Sequence, residues 1–135
     1  MVSEMVVGVY SSDLEQSKGF YVELLQLVPT FESDWVIQLT SRANENLNLT
    51  LQLRTHESIP KEYRKKPQGF SIAFVVPDVD SVYKKARTMN LEIIQAPKDE
   101  DYGQRRFLTL DPDGLLVDVS TDCESSAEFV RKYLS

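Results

Sequence analysis

The sequence predicts an α+β protein made of two copies of one unit, each a strand, a helix and about three further strands. Three observations carry this. VVGVYSSDLEQS and IAFVVPDVDSVY fall in register when Asp13 is laid on Asp78, an internal repeat. FLTLDPDGLLVDVS, residues 107–120, sets two apolar-alternating runs around Asp111-Pro112-Asp113-Gly114, where Pro pre-sets a turn dihedral, Asp bonds turn backbone and Gly accepts positive φ. Leu47, Leu49, Leu51 and Leu53 alternate strictly after a polar, Asn-rich turn, which makes another hairpin with the strand at 35–40. One such unit leaves a sheet face bare, and pairing two copies, within a chain or across a dimer, curls the sheets around a shared cavity.

Taken in order, residues 5–10 read as a strand and Ser11-Ser12-Asp13 supplies side-chain oxygens to cap the helix that follows. Leu14, Ser17, Phe20-Tyr21, Leu24-Leu25 and Leu27 give that helix one apolar stripe, and Pro29 ends it. A charged, Pro-bearing linker runs from 55 to 68. Residues 70–76 then read as a strand, Pro77-Asp78 starts a helix through about Met89, 91–95 is a short strand, and an acidic loop at 97–103 leads to the closing hairpin. The bounds expected are module 1 at about 5–54, the linker at 55–68, module 2 at about 69–121 and a C-terminal helix at about 124–134, all in one domain of 1–135.

Composition narrows the function. The net charge is −6, from 15 basic against 21 acidic side chains, so a nucleic-acid backbone meets net repulsion. The one basic cluster, Lys61 to Lys66 around Tyr63, reads as a solvated connector. Apolar runs are short and broken by charge, which argues against a membrane partner, and MVSEMVVG lacks the features of a signal peptide, so a cytoplasmic location is expected. The single cysteine, Cys123, has no cysteine partner for a disulfide or a zinc site.

The hairpin sets the candidate site. If Leu110 faces Leu115, then Phe107 pairs with Asp118 and Arg105 with Ser120, and Leu108, Leu110, Leu115, Val117 and Val119 form an apolar face. Asp118 lies on the opposite face. Carried through the repeat, which matches Gln52 to Asp118, the expected ligand wall is Gln38, Thr50, Gln52, Ser71, Arg105, Phe107, Thr109 and Asp118, with Val6, Gly8 and Val36 as its apolar part. Tyr102 joins it from an exposed loop beside Gly103. Trp35 is expected in the core with Ile37 and Leu39. An Asp118–Arg105 pair is read either as an anchor for the polar part of a ligand or as a structural ion pair. As a general base Asp118 is a weak candidate, because no second titratable group on the wall supplies the acid.

The repeat, the phrase from Ser12 to Ser17 with Phe20-Tyr21, and the closing phrase from Arg105 to Gly114 resemble the glyoxalase / bleomycin-resistance / dioxygenase superfamily over residues 5–121. The resemblance implies two paired βαβββ modules forming a curved mixed sheet around a cleft, commonly in a homodimer. It also implies metal ligands on the first strand of each module and on the last strand, positions that fall on Val6, Ser71 and Asp118. Val6 has no donor atom, Ser71 is a weak one, and the only histidine, His56, lies in the linker. The expectation is therefore a metal-free cleft, with no cofactor, that binds a small organic ligand. Two alternatives stay open: an enzyme of the same fold (lyase, isomerase or dioxygenase-like) using Asp118 or an atypical metal site, and a protein-interaction module.

Overall fold

Both copies of the strand, helix and three-strand unit are present. The computed structural model describes residues 1–135. The first copy comprises β1 (Val7–Ser11), α1 (Leu14–Leu25), β2 (Val28–Glu32), β3 (Val36–Ser41) and β4 (Asn44–Leu53). The second comprises β5 (Ser71–Val75), α2 (Val79–Thr88), β6 (Ile93–Glu100), β7 (Gln104–Leu110) and β8 (Leu116–Asp122). Each forms a four-stranded mixed sheet, in the orders β1-β4-β3-β2 and β5-β8-β7-β6, with the first strand parallel to the last. Neither sheet closes on itself. The chain divides into two compact units, Met1–Gly69 with Asp111–Leu115, and Phe70–Leu110 with Leu116–Ser135.

The two helices begin alike because their sequences do. Asp13 accepts from the Gln16 N–H and Asp78 from the Ser81 N–H, each satisfying an amide that the first helical turn leaves unpaired. α1 stops at Leu25, where Gln26 takes the left-handed conformation, φ 57°. Pro29 lies beyond the helix, in β2, an edge strand that alternation did not reveal and whose outer side has no ladder to donate to. The acidic segment expected to be a loop at 97–103 is strand as far as Glu100. There Asp99 pairs with Arg105, opposite charges facing across the ladder, while Lys98 pairs with Arg106, a like-charged pair.

One face of each sheet packs under its helix. In the first unit Val9, Ile37, Leu39, Leu49 and Leu51 are buried together with Leu14, Phe20, Tyr21 and Leu24 of α1, and the hydroxyls of Ser11 and Ser17 bond to each other. In the second, Phe74, Phe107, Thr109, Val117 and Val119 are buried with Val79 and Ala86 of α2. The Tyr83 ring meets Phe107 edge-on at 5.4 Å. Burying a side chain of this size contributes about 1.5–3 kcal/mol.

This packing corrects the hairpin register. Leu110 pairs with Leu116, not Leu115, so Leu108 opposes Asp118, Phe107 opposes Val119 and Arg106 opposes Ser120. The cause lies in the turn. Asp111 Oδ1 accepts from the N–H groups of Asp113 (2.9 Å) and Leu115 (3.0 Å), which takes Leu115 out of the ladder and lengthens the connection by one residue. A slip of one residue sends every side chain of β7 to the other face. The turn is also fixed within the first unit, where the buried Tyr21 hydroxyl donates to Asp111 Oδ2 at 2.9 Å and the Ser12 N–H to Asp113 Oδ2 at 3.0 Å. Burial pushes the Asp111 carboxyl above its ordinary range against these hydrogen bonds, and lifts the Tyr21 phenol as well.

Candidate functional site: the open sheet faces

The chemistry of the chain collects on the sheet faces that no helix covers. On the first sheet this face carries Gly8 and Tyr10 from β1, Val36 and Gln38 from β3, and Thr50 and Gln52 from β4, with Gly8, Thr50 and Gln38 in one cross-strand row and Tyr10, Gln52 and Val36 in the next. Gln38, Thr50 and Gln52 thus share the face expected of them. Tyr10 was missed, although it stands two residues beyond Gly8 on the same side. A Cβ at Gly8 would lie in ordinary van der Waals contact with Gln52 Oε1, at 3.4 Å, so the Gln52 amide reaches over the glycine.

The second open face carries Ser71, Ala73 and Val75 from β5, Leu116, Asp118 and Ser120 from β8, and Arg106, Leu108 and Leu110 from β7. Ser71 and Asp118 are where the sequence put them. Phe107 and Thr109 are not: both are fully buried on the α2 side, which removes them from the wall. Arg105 is displaced with them and bonds Asp80 and Asp99 on that side, at 3.1 and 3.2 Å. The partner of Asp118 is therefore Arg106, whose Nη1 meets Asp118 Oδ2 at 3.1 Å while its Nε meets Glu100 Oε2 at 2.7 Å. The Arg106 hydrogen bond holds the Glu100 carboxyl below its ordinary range. Tyr102, in the turn between β6 and β7, is exposed; partial burial lifts its phenol, with Arg106 opposing and Glu100 and Asp118 adding to the shift. Two acceptors on this face lack partners: Asp118 Oδ1 and the hydroxyl of Ser120, a residue only 1% exposed.

The register also revises the repeat. Thr50, not Gln52, is the counterpart of Asp118, since each is flanked by the small residue of the first strand (Gly8, Ala73) and a β3 or β7 residue (Gln38, Leu108). Gln52 matches Ser120 and Val36 matches Arg106. Elsewhere, Trp35 is half-buried just before β3, not in the core, and stacks on the ring of His56 at 4.1 Å and 8°. A hollow of about 370 Å³ at the start of α1, lined by Ser12 to Glu15, Ser33, Asp34 and Leu53, lies off both open faces. No helix is long and apolar enough to cross a membrane.

Two sheets of this topology, each with a helix packed on one face only, define a βαβββ repeat protein, and comparison with known proteins gives the family. Residues 5–119 match the family model described as Glyoxalase/Bleomycin resistance protein/Dioxygenase superfamily, and the chain belongs to that superfamily. No curated protein matches it. Among solved structures, it is similar to a superfamily member from Sphaerobacter thermophilus, with 21% identity over 90% of this chain and 98% of that one and a TM-score of 0.73. It is also similar to a family enzyme from Burkholderia phytofirmans (15% identity, 87% and 96% covered, TM-score 0.74) and to a lactoylglutathione lyase from Agrobacterium tumefaciens (17%, 90% and 95%, TM-score 0.69). At these identities the likeness speaks for the fold.

The metal chemistry found in this superfamily does not fit the residues here. Val6 lies exposed ahead of β1, Ser71 is an exposed hydroxyl, and Asp118 is already paired with Arg106. No three His, Cys, Asp or Glu side chains gather in a way that would hold an ion.

Proposed function

We propose that this protein is a metal-independent small-molecule binder of the glyoxalase/bleomycin-resistance type, with the open face of the second sheet as its principal contact surface. One observation carries the reading: Asp118 Oδ1 and Ser120 Oγ are shielded acceptors without partners on a face that, besides Ser71 and Arg106, is made of Leu108, Leu110, Leu116, Ala73 and Val75. A buried acceptor left unsatisfied costs about 1–3 kcal/mol, so a partner supplied by a ligand recovers free energy that the protein alone does not. Apolar walls with a few placed polar groups are the usual make-up of an organic-ligand site.

The test is a thermal-shift screen of a chemically diverse small-molecule library, with metal analysis of the same purified protein. Hits whose stabilisation is lost in Asp118→Ala, with melting of the free variant close to that of the parent, support the reading. A tightly held stoichiometric divalent ion, or hits unaffected by Asp118→Ala, overturns it. Homodimerisation belongs to the same proposal, supported by exposed Phe31 and Ile94 on the edge strands β2 and β6. Sedimentation giving a monomer at micromolar concentration contradicts that part alone.

A further inference from the structure

We infer that the ligand class of the second sheet's open face is an organic amine, a protonated nitrogen on an apolar body, taken by Asp118 Oδ1 with Ser120 Oγ as second acceptor. The inference rests on the small-molecule reading above and adds the charge and hydrogen-bonding character of the ligand.

The argument is one of unused valence. Asp118 has two acceptor oxygens, and Arg106 Nη1 uses only Oδ2. An ionised carboxylate accepts and never donates, so whatever completes Oδ1 is a donor. Ser120, next along β8 on the same face, is 1% exposed with its Oγ unpartnered, so two unpartnered acceptors share this face. Access remains, because 15% of the Asp118 side chain is accessible even though Oδ1 itself is shielded.

Charge then chooses among donors. Arg106 is shared by two carboxylates, Asp118 and Glu100. Lys98 offsets Glu100 from outside at 3.5 Å, but its side chain is 68% exposed and solvent screens it. A cation therefore meets a carboxylate only half neutralised, whereas an anion drawn to Arg106 meets Asp118 and Glu100 on either side. Charge-assisted hydrogen bonds are about twice as strong as neutral ones, which favours an ammonium over an alcohol. Leu108 and Ala73 flank Asp118, Val75 flanks Ser120, and Leu110 and Leu116 continue the same face, which suits an apolar body.

Phenethylamine, phenethyl alcohol and phenylacetate share one apolar body and differ in the headgroup, so titrating each into the protein, followed by NMR, isolates the headgroup. The expected order is amine, then alcohol about tenfold weaker, with the acid weakest. Asp118→Asn should weaken the amine about tenfold and narrow its advantage over the alcohol. Ser120→Ala removes a hydroxyl that bonds nothing, so its melting temperature should hold or rise while amine affinity falls, a combination that a purely structural role does not give. Alcohol or acid binding this face as tightly as the amine, or amine binding unchanged in both variants, overturns the amine assignment and leaves the small-molecule reading standing. No binding by any of the three, together with no hit from the library screen, overturns both.

Discussion

Where the first sheet sets Thr50 beside Gln38, the second sets Asp118 beside Leu108; where the first sets Gln52 beside Val36, the second sets Ser120 beside Arg106. The backbone frame is the same at all four positions: the parallel strand sets Gly8 or Ala73 beside Thr50 or Asp118, and Tyr10 or Val75 beside Gln52 or Ser120. One copy thus presents neutral amides and a hydroxyl, and the other an ion pair set among leucines. The shared frame fixes where side chains emerge, and the residues that differ give one copy its charge and shielded acceptors. A frame that preserves position while freeing chemistry is how one fold carries unrelated functions.

Four experiments break or sharpen this contrast. The largest effect is expected from Phe107→Ala, which empties a fully buried position against Tyr83 and should cost about 3–5 kcal/mol in denaturant unfolding. Its neighbour on the open face, Leu108→Ala, should cost about 1 kcal/mol, because only partial burial is lost. Equal costs would mean the register is wrong.

Next comes the turn, which distinguishes the second hairpin from the first. Asp111→Ala removes the acceptor for Tyr21, Asp113 and Leu115 and should cost about 2–3 kcal/mol, with Tyr21→Phe costing about 1 kcal/mol. If either is silent, something other than the turn holds Leu115 out of the ladder. A smaller effect separates the faces directly: Arg106→Ala strands Glu100 and Asp118 and should cost about 1–2 kcal/mol, whereas exposed Gln38→Ala should change stability by less than about 0.5 kcal/mol.

The smallest effect is in the pH dependence, where two carboxylates act with opposite sign. Glu100 is held low by Arg106, so its contribution is present above the ordinary carboxylate range and is lost as pH falls through its depressed value. Asp111 is held high by burial, so its contribution is present below the ordinary range and is lost as pH rises through its elevated value. Glu100→Gln should therefore flatten the acid loss of stability and Asp111→Asn should steepen it. Melting curves between pH 3 and 6, a window of about one to two units around carboxylate values, check both signs.

The repeat, both helix caps and both hairpins were legible in the sequence, because each depends on local chemistry: Asp at a cap, alternation of leucines, Asp-Pro-Asp-Gly at a reversal. Asp118 was placed on the correct face by parity along β8, and Gln38, Thr50 and Gln52 by parity with their own strands. What local chemistry did not carry was the count of residues in the turn. The Asp111 carboxylate draws in Leu115 by accepting from its N–H, a bond that composition does not announce, and that single residue exchanged Phe107 and Thr109 for Leu108 and Arg106. A five-residue connection sets Arg106 on the face of Asp118, which it bonds at 3.1 Å. The edge strand β2 escaped because its residues are mostly half-exposed or exposed and include Pro29, leaving no apolar alternation to read.

The account stands on the second sheet's open face being a ligand surface rather than a solvated one. Its most direct test is a methyl-resolved NMR titration of the intact protein with phenethylamine. The Leu108, Leu110 and Leu116 methyl resonances should move together and saturate, Leu49 and Leu51 in the first unit's core should stay still, and the response should collapse in Asp118→Asn. Movement confined to other residues, or an identical response in that variant, would contradict it.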